Sequence, residues 1–407
     1  MTASAAAPTG DTTRRVTPLL YSTGISVTGD GAFLAAGPLL AASLTRDPVA
    51  IAAVTAVFYA PWLVFGLPAG ALVDRWPRHT VMITADLFRA ALLALLTVLV
   101  AVGHASIPAL IALITLVGIA HIFFDSASQA SIPAIVGRDK DTLAHVNGRF
   151  WAIDTVGRLL LGPPLGSLTF AVNRLIPFAL DAVSFLLSAL FVRNLPPAEP
   201  ATGPHEPIGA AIRAGVRHLL HTRDLRLLAI SLGAHNFGYN MALATFVLYV
   251  TDVLDVPDAL YGVLLAASAL GGIVAGWRAR RLTRNLTYRQ VVATVHVMQA
   301  LSWAGIALSG NVWIAALMFV TIGAGGSLSS VAVGSARQSL TPDGLIGRVV
   351  SAFRLVGVGA GGVGALAGGV IADRFGLTTP LLCTVGLQLT AAMLTWPFRQ
   401  RRAESGR

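Results

Sequence analysis

Long apolar runs follow one another along almost the whole chain, and they constrain its fold more than any other feature. A helix needs roughly 20 predominantly apolar residues to cross a bilayer. Charged residues are 12% of the 407 positions, against about a quarter in an ordinary soluble domain. We therefore predict an all-α membrane protein with twelve transmembrane helices, whose ends are uncertain by several residues. The predicted helices are 18–43, 48–73, 80–103, 106–132, 148–172, 175–195, 225–251, 258–280, 288–309, 311–334, 348–372 and 377–398.

The distribution of basic residues predicts the topology. A net charge of +10 would suggest nucleic acid in a soluble protein, but here the bases lie in the two tails and in the even-numbered connections. The odd-numbered connections hold few bases beyond Arg46, Arg174 and Arg374. Because cytoplasmic loops carry the excess of Lys and Arg, we expect a multi-pass protein of the inner (plasma) membrane with both termini cytoplasmic. The bilayer is then the expected partner, and nucleic acid is not.

The longest connection divides the chain into six helices plus six. We predict a disordered cytoplasmic tail at 1–17 and an N-terminal bundle at 18–195. A linker at 196–224 precedes a C-terminal bundle at 225–398 and a basic tail at 399–407. Within the linker, apolar residues repeat at helical spacing beside Arg213 and Arg217. That pattern suits a helix on the inner membrane surface, and a soluble linker helix explains it as well.

An internal repeat supports this division into two pseudo-symmetric six-helix bundles. Glycines spaced four apart and followed by arginines occur near the ends of the second and eighth predicted helices. Other polar and glycine positions recur in the same order, which is hard to explain without duplication. The matched positions are Gly66 and Gly70 with Gly272 and Gly276, Asp30 with Asn236, Gln129 and Pro133 with Gln338 and Pro342, and Gly148 and Arg149 with Gly347 and Arg348.

The turn between the second and third helices is a candidate gate. Gly66 and Gly70 are spaced to allow close helix contact, and a charged segment follows them directly. This stretch resembles the signature loop of the major facilitator superfamily, G-x-L-x-D-R-x-G-R-[RK], although Pro77 replaces its glycine. The resemblance implies the major facilitator fold and a loop that latches one conformation. We assign to the gate Gly70, Asp74, Arg75 and Arg78, with Asp86, Arg89 and Asp125 as neighbours.

The acids within the apolar runs are candidates for proton coupling, because a charge in the bilayer costs at least ~2.5–3.5 kcal/mol. Asp30 lies about twelve residues into the first helix, near the midplane, with no base within a turn of it in sequence. We expect it to be an unpaired carboxylate that exchanges protons, separate from the gate. A packing role through hydrogen bonds is the alternative. Asp154 and Arg158 are spaced for an ion pair, which is either structural or broken during transport.

Polar and aromatic residues near the spans are candidates for the substrate cavity, since flat rings suit large apolar ligands. Most membrane aromatics nevertheless face lipid or the interface. We expect substrate to bind near the midplane between the bundles. The candidates are Ser26, Phe33, Tyr59, Trp62, Trp151, Asn236, Tyr239 and Asn240.

The fifth helix carries a second resemblance. Gly157 precedes Gly162-Pro163-Pro164-Leu165-Gly166, which is similar to the antiporter motif of proton-driven drug exporters. It departs from that motif by one extra residue before Gly162 and by Ser167 in place of the last glycine. Nearly the whole chain resembles bacterial exporters of the macrolide-efflux and enterobactin-exporter type, on Gly29-Asp30-Gly31, Gln129–Pro133, Asp181–Ser188 and Gly369–Gly376. The resemblance implies export of drugs, siderophores or similar amphipathic molecules in exchange for protons.

Enzymatic chemistry has no support in the sequence. The Gly-rich stretch 357–369 lacks the Lys-Ser/Thr ending of a phosphate-binding loop, and the histidines lack metal-ligand spacing. We expect no cofactor, no metal and a monomer. Uptake or lipid movement by the same fold, or a transport-inactive sensor or interaction protein, remains the alternative.

Overall fold

The computed structural model describes residues 10–66, 68–73, 75–137, 139–195 and 208–396. Within these residues, helices occupy all twelve predicted positions, and a further helix, α10, precedes the seventh. The helices are α1 Gly10–Leu44, α2 Pro48–Val57, α3 Ala60–Phe65, α4 Pro68–Val73, α5 Arg78–Ala101, α6 Ile107–Val136, α7 Lys140–Thr155, α8 Gly162–Val172, α9 Ile176–Val192, α10 Ile208–His221, α11 Arg223–Leu243, α12 Phe246–Leu248, α13 Asp258–Thr283, α14 Tyr288–Ser309, α15 Val312–Ser339, α16 Ile346–Phe375 and α17 Thr379–Thr395.

Three of the predicted spans are interrupted rather than continuous. The second consists of α2, α3 and α4, with Pro61 and Pro68 at or next to the starts of the later pieces. Proline is tolerated there because the first residues of a helix have no intrahelical N–H partner. The fifth and seventh contain π-helical turns at Val156–Leu161 and Tyr249–Val253. Such turns often mark functional sites.

Length and composition support membrane crossing for most of the chain. Eight helical segments among the described residues are long and apolar enough to span a bilayer, and α9 and α17 are shorter apolar helices. The fifth span is missing from that set because the π-helical turn divides it into α7 and α8, which are shorter. The seventh is missing as well, although α11 has 21 residues. The chain is therefore an all-helical, multi-pass membrane protein over its described part.

Contacts group the chain into two compact units. The first comprises Met1–Arg46, Ala60–His205 and Pro257–Ala266, and its core includes Met82 and Phe124. The second comprises Asp47–Tyr59, Glu206–Val256 and Ala267–Arg407, and its core includes Val292 and Phe353. These units differ from the predicted six-plus-six division, because parts of the second and eighth spans are grouped with the other half of the sequence.

The predicted start of the first bundle needs correction. Helix α1 begins at Gly10, so residues 10–17 are helical and do not belong to a disordered tail. Hydropathy marks the lipid-facing part of a helix and not the polar turns beyond it. Helix α10 is present, but Leu219 is buried in the core of the second unit instead of facing lipid. Residues 1–9, 196–207 and 397–407 lie outside the described part of the chain.

Candidate functional site

Asp30 lies where three helical segments of the first unit meet α1. The glycines on either side of it make this approach possible. A Cβ atom at Gly29 would collide with the Asp181 carboxylate of α9, and one at Gly31 would collide with the backbone of Arg158 in the π-helical turn. The sequence Gly29-Asp30-Gly31 therefore lets two neighbours pack against α1 on both sides of a single carboxylate.

Basic side chains from three other elements surround this carboxylate. Asp30 Oδ2 lies 3.3 Å from Arg158 Nη1 and 3.6 Å from His121 Nδ1 on α6, and Oδ1 lies 3.9 Å from Arg89 Nη1 on α5. The Asp30 side chain is 13% exposed. The prediction that Asp30 is unpaired is wrong. All three partners are distant in sequence, so the absence of a base within one helical turn did not reveal them.

Arg89 and Asp86 form a fully buried ion pair on α5 beside Asp30. Both side chains are 0% exposed, and Arg89 lies between aromatic faces, 4.0 Å from the Phe185 ring centroid and 4.6 Å from that of Phe124. Ser188 of α9 donates a hydrogen bond of 2.6 Å to Asp86 Oδ2. Aromatic faces attract cations. Asp86 and Arg89 were predicted to be gate residues separate from Asp30, and this separation is wrong because Arg89 contacts Asp30.

Arg158 contacts both Asp30 and Asp154. Its Nη2 atom lies 3.1 Å from Asp154 Oδ1, so Asp154 and Arg158 form the ion pair that their spacing predicts. The connected network thus holds three carboxylates, Asp30, Asp86 and Asp154, against two guanidiniums. With His121 neutral, one negative charge is left over. If Asp30 takes up a proton, each arginine still retains a carboxylate of its own.

The π-helical turn explains the extra residue of the antiporter-like motif. It spans Val156–Leu161, immediately before Gly162, and a π-helical turn closes i→i+5 instead of i→i+4. The extra residue is therefore accommodated in the turn that carries Arg158. After it, a Cβ atom at Gly162 would be 2.5 Å from the Gly31 Cα, and one at Gly166 would collide with the Ala32 carbonyl. Gly157 contacts α1 in the same way, and Pro163 follows at the start of α8.

Two members of the site were not among the predicted site residues. His121 contacts Asp30, and Asp181 is buried, 1% exposed, where Ser184 donates a 3.0 Å hydrogen bond to its carboxylate. Among the described residues, no basic side chain lies within ion-pair distance of Asp181. Both are ionisable residues within apolar runs, and that signal could have identified them.

The described residues include only part of the predicted gate loop. Asp74 lies outside the described residues, and Arg75 is exposed. Arg78 Nη1 donates a 2.8 Å hydrogen bond to the Ala130 carbonyl and so connects the start of α5 to α6. Gly70 was expected to allow close helix contact, but a Cβ atom there would meet nothing within 4 Å. The expectation fails because the helix is broken between α3 and α4.

Asp125 does not make the predicted gate contacts. Both of its carboxylate oxygens accept hydrogen bonds of 2.9 Å from Gln129, one turn further along α6. In the described part of the chain it pairs with neither Arg75 nor Arg149. The pairing was predicted from helix ends alone, and sequence does not fix how far apart two such ends lie.

The predicted cavity residues of the first unit have different environments. Ser26 and Phe33 are buried, and the Phe33 ring packs edge-on against Phe178. Trp62 lies edge-on to His121, with the ring centroids 6.4 Å apart, next to the Asp30 network. Trp151 is 52% exposed and contacts Phe150. Of the four, Trp62 is the one that lies against the charged site.

The predicted cavity residues of the second unit are brought together. The Tyr59 hydroxyl donates a 2.5 Å hydrogen bond to Asn240 Oδ1, and Asn240 Nδ2 donates to the Asn236 carbonyl at 2.9 Å. Tyr239 lies next to Trp303, with ring centroids 6.0 Å apart. Asn236 and Tyr239 are partly exposed, whereas Asn240 is buried. Tyr59 and Asn240 thus bind each other in this structure.

Comparisons with known proteins agree with this architecture. The multidrug efflux pump Tap of Mycolicibacterium fortuitum is 27% identical over 375 residues, which cover 89% of this chain and 90% of Tap. Tap of Mycobacterium tuberculosis is 27% identical over 393 residues, covering 92% and 93%. Among solved structures, the nucleoside transporter NupG superposes with a TM-score of 0.78 at 13% identity, covering 93% of this chain and 98% of NupG. A bacterial homologue of the iron transporter ferroportin, in an inward-facing state, gives 0.72 at 18% identity, covering 94% and 98%.

The helices and a matching family model together define a multi-pass membrane transporter of the major facilitator type. That model, described as "Transmembrane secretion effector", matches residues 4–406. The chain belongs to that family.

Proposed function

We propose that the protein is a secondary active transporter that exports amphipathic small molecules in exchange for protons, by alternating access. The observation that carries the proposal is the Asp30 network, in which the partly exposed carboxylate contacts Arg158, His121 and Arg89. The similarity to multidrug efflux pumps over about nine-tenths of the chain supports export and drug-like substrates. We further propose an inner-membrane monomer with cytoplasmic termini.

The charge balance of the network supports the role of Asp30. Breaking a buried ion pair by removing one partner is costly, about 3–5 kcal/mol. Protonation of Asp86 or Asp154 would leave Arg89 or Arg158 with Asp30 alone, a carboxylate on another helix. Protonation of Asp30 leaves Arg89 with Asp86 and Arg158 with Asp154. Asp30 is therefore the carboxylate whose neutralisation loosens contacts between different elements while each arginine keeps a carboxylate within one helical turn, and its loss of charge would release α1 from the π-helical turn.

Inside-out vesicles from cells that overproduce the protein test the proposal. With a proton gradient that is acidic inside, ethidium should accumulate in the lumen, and its addition should release protons. Nigericin, which collapses the pH gradient, should abolish accumulation, whereas valinomycin should leave part of it. Vesicles without the protein supply the baseline. Ethidium accumulation that persists in nigericin, or that requires ATP, would contradict proton exchange.

A further inference from the structure

A second polar cluster lies in the second unit. Ser231, His235 and Tyr239 are spaced four apart and share one face of α11. Helix α11 packs against α17, and Ser231 reaches His296 of α14. Thr384 of α17 donates a 2.8 Å hydrogen bond to the Gly238 carbonyl. A Cβ atom at Gly238 would be 3.1 Å from Thr384 Cγ2, so the glycine lets α17 lie close enough for its side chains to reach this face.

Four side chains of the cluster form a continuous chain of hydrogen bonds. Ser231 Oγ is 2.6 Å from His296 Nε2, and His296 Nδ1 is 2.5 Å from Gln388 Oε1. Gln388 Nε2 is 3.4 Å from His235 Nδ1. Ser231, His296 and Gln388 are buried, whereas His235 is partly exposed. The chain therefore runs from the interior of the unit to an accessible imidazole.

The chemistry of Gln388 sets the direction of every hydrogen bond in this chain. An amide oxygen only accepts, so His296 Nδ1 must carry a proton. A buried imidazolium without a carboxylate partner is costly, so His296 is neutral and its Nε2 accepts from Ser231. The amide nitrogen only donates. His235 Nδ1 is therefore the acceptor, and the proton of neutral His235 lies on Nε2.

We propose that His235 Nε2 is a fixed hydrogen-bond donor for the transported molecule. The His235 ring is stacked with the partly exposed Tyr239 ring, with centroids 6.1 Å apart and planes 25° apart. Tyr239 in turn lies edge-on to the buried Trp303. The subsite therefore suits a molecule that carries a carbonyl or ether oxygen next to a flat apolar ring. Gln388 acts as a positioning residue because it holds the acceptor nitrogen of His235 on the inner side. The inference rests on the proposed transport function.

Two fluorescent cations test the donor. Rhodamine 6G carries an ester carbonyl and a ring oxygen, whereas ethidium contains no oxygen. In inside-out vesicles, His235→Leu should raise the KM for rhodamine 6G roughly tenfold, the size of one hydrogen bond, and change that for ethidium by less than about twofold. His235→Gln, which keeps a donor near the Nε2 position, should restore most of the difference.

Changing Gln388 tests the positioning. In Gln388→Met, no amide donates to His235 Nδ1, so the proton is no longer fixed on Nε2, and the KM for rhodamine 6G should rise selectively, by less than in His235→Leu. Thr390→Val on the exposed face of α17 is the matched control, since the Thr390 hydroxyl donates to the Gly386 carbonyl of its own helix. Equal effects on both dyes in His235→Leu would overturn the proposal.

A measurement on the wild-type protein determines the tautomer of His235 and does not depend on transport. Nitrogen-15 NMR of the full chain labelled at its nine histidines distinguishes protonated from unprotonated ring nitrogens, and His235→Gln identifies the relevant signal. A proton on Nε2 supports the proposal, and a proton on Nδ1 overturns it. If the wild type moves neither dye, the proposed transport of such cations is wrong. The NMR result still shows whether His235 Nε2 carries a proton and can donate.

Discussion

The Asp30 carboxylate lies 3.3 Å from the Arg158 guanidinium, and Gly31 lies directly against the Arg158 backbone. The ion pair and the helix contact are thus two parts of one arrangement. Gly162 continues the contact one turn later, where its missing side chain leaves room for Gly31. The same packing recurs in the second unit, where Cβ atoms at Gly364 and Gly368 of α16 would collide with the Phe237 and Met241 carbonyls of α11.

These contacts make the glycines of the first unit sensitive to the smallest substitution. In Gly162→Ala, the added methyl group would be 2.5 Å from the Gly31 Cα, and backbone atoms cannot move aside as a flexible side chain does. Overpacking of this kind costs about 1–3 kcal/mol. We expect a clearly lower Tm in detergent and weaker efflux.

Gly148→Ala on α7 is the control, because nothing lies within 4 Å of its Cβ position. It should be neutral or stabilising by up to ~1 kcal/mol, and equal Tm losses in both variants would contradict the packing argument.

Asp86 and Arg89 should behave as a coupled pair. Arg89→Leu leaves Asp86 buried without a basic partner and should destabilise the protein by about 3–5 kcal/mol. Asp86→Leu leaves Arg89 with the longer 3.9 Å contact to Asp30 and should destabilise it somewhat less. The double variant leaves no buried charge at these positions and should be less destabilised than either single variant. Unfolding in detergent, followed for all four proteins of the cycle, measures the coupling.

Additive effects of the two substitutions would contradict a direct pair. Asp141→Asn at the exposed start of α7 controls for loss of a carboxylate, and we expect no measurable change in stability. A lysine at position 89 could still place a point charge near the Phe124 and Phe185 rings, but it lacks the flat guanidinium that stacks on them. Arg89→Lys should therefore recover part of the stability that Arg89→Leu loses.

The single cysteine of the chain makes its topology directly measurable. Cys383 is exposed on α17, so Cys383→Ser provides a background free of thiols. In that background, His104→Cys between α5 and α6 should react with a membrane-impermeant maleimide in intact cells. Asp141→Cys, on the opposite side by the predicted topology, should react only after permeabilisation. The reverse pattern would place both termini outside the cytoplasm.

The positions of the helices were predictable from the sequence because lipid exposure demands apolar surface over a fixed length. The ends and interruptions of the helices were less predictable. The polar first turns of α1 carry no hydropathy signal, and the π-helical turn at Val156–Leu161 was visible only as an extra residue in a familiar motif. Its position against Gly31 depends on the packing of α1, which local sequence does not specify.

The site was predictable residue by residue but not as a network. Asp30, Asp86, Arg89, Asp154 and Arg158 all stand out because charges within apolar runs are costly. Their grouping could not be inferred, because the partners of Asp30 come from α5, α6 and the π-helical turn, far apart in sequence. The local i, i+4 pair of Asp154 and Arg158 was predictable because helix geometry alone brings such side chains together.

The most direct test of proton coupling is Asp30→Asn in proteoliposomes. The amide keeps the size of the side chain but cannot gain or lose a proton, and Arg89 and Arg158 keep Asp86 and Asp154. We predict that this variant still exchanges ethidium for ethidium across the membrane at zero gradient, but no longer accumulates it against a gradient in response to a proton gradient. Asp141→Asn should do both. Uphill accumulation by Asp30→Asn at the wild-type rate would contradict the assignment of Asp30 as the proton site.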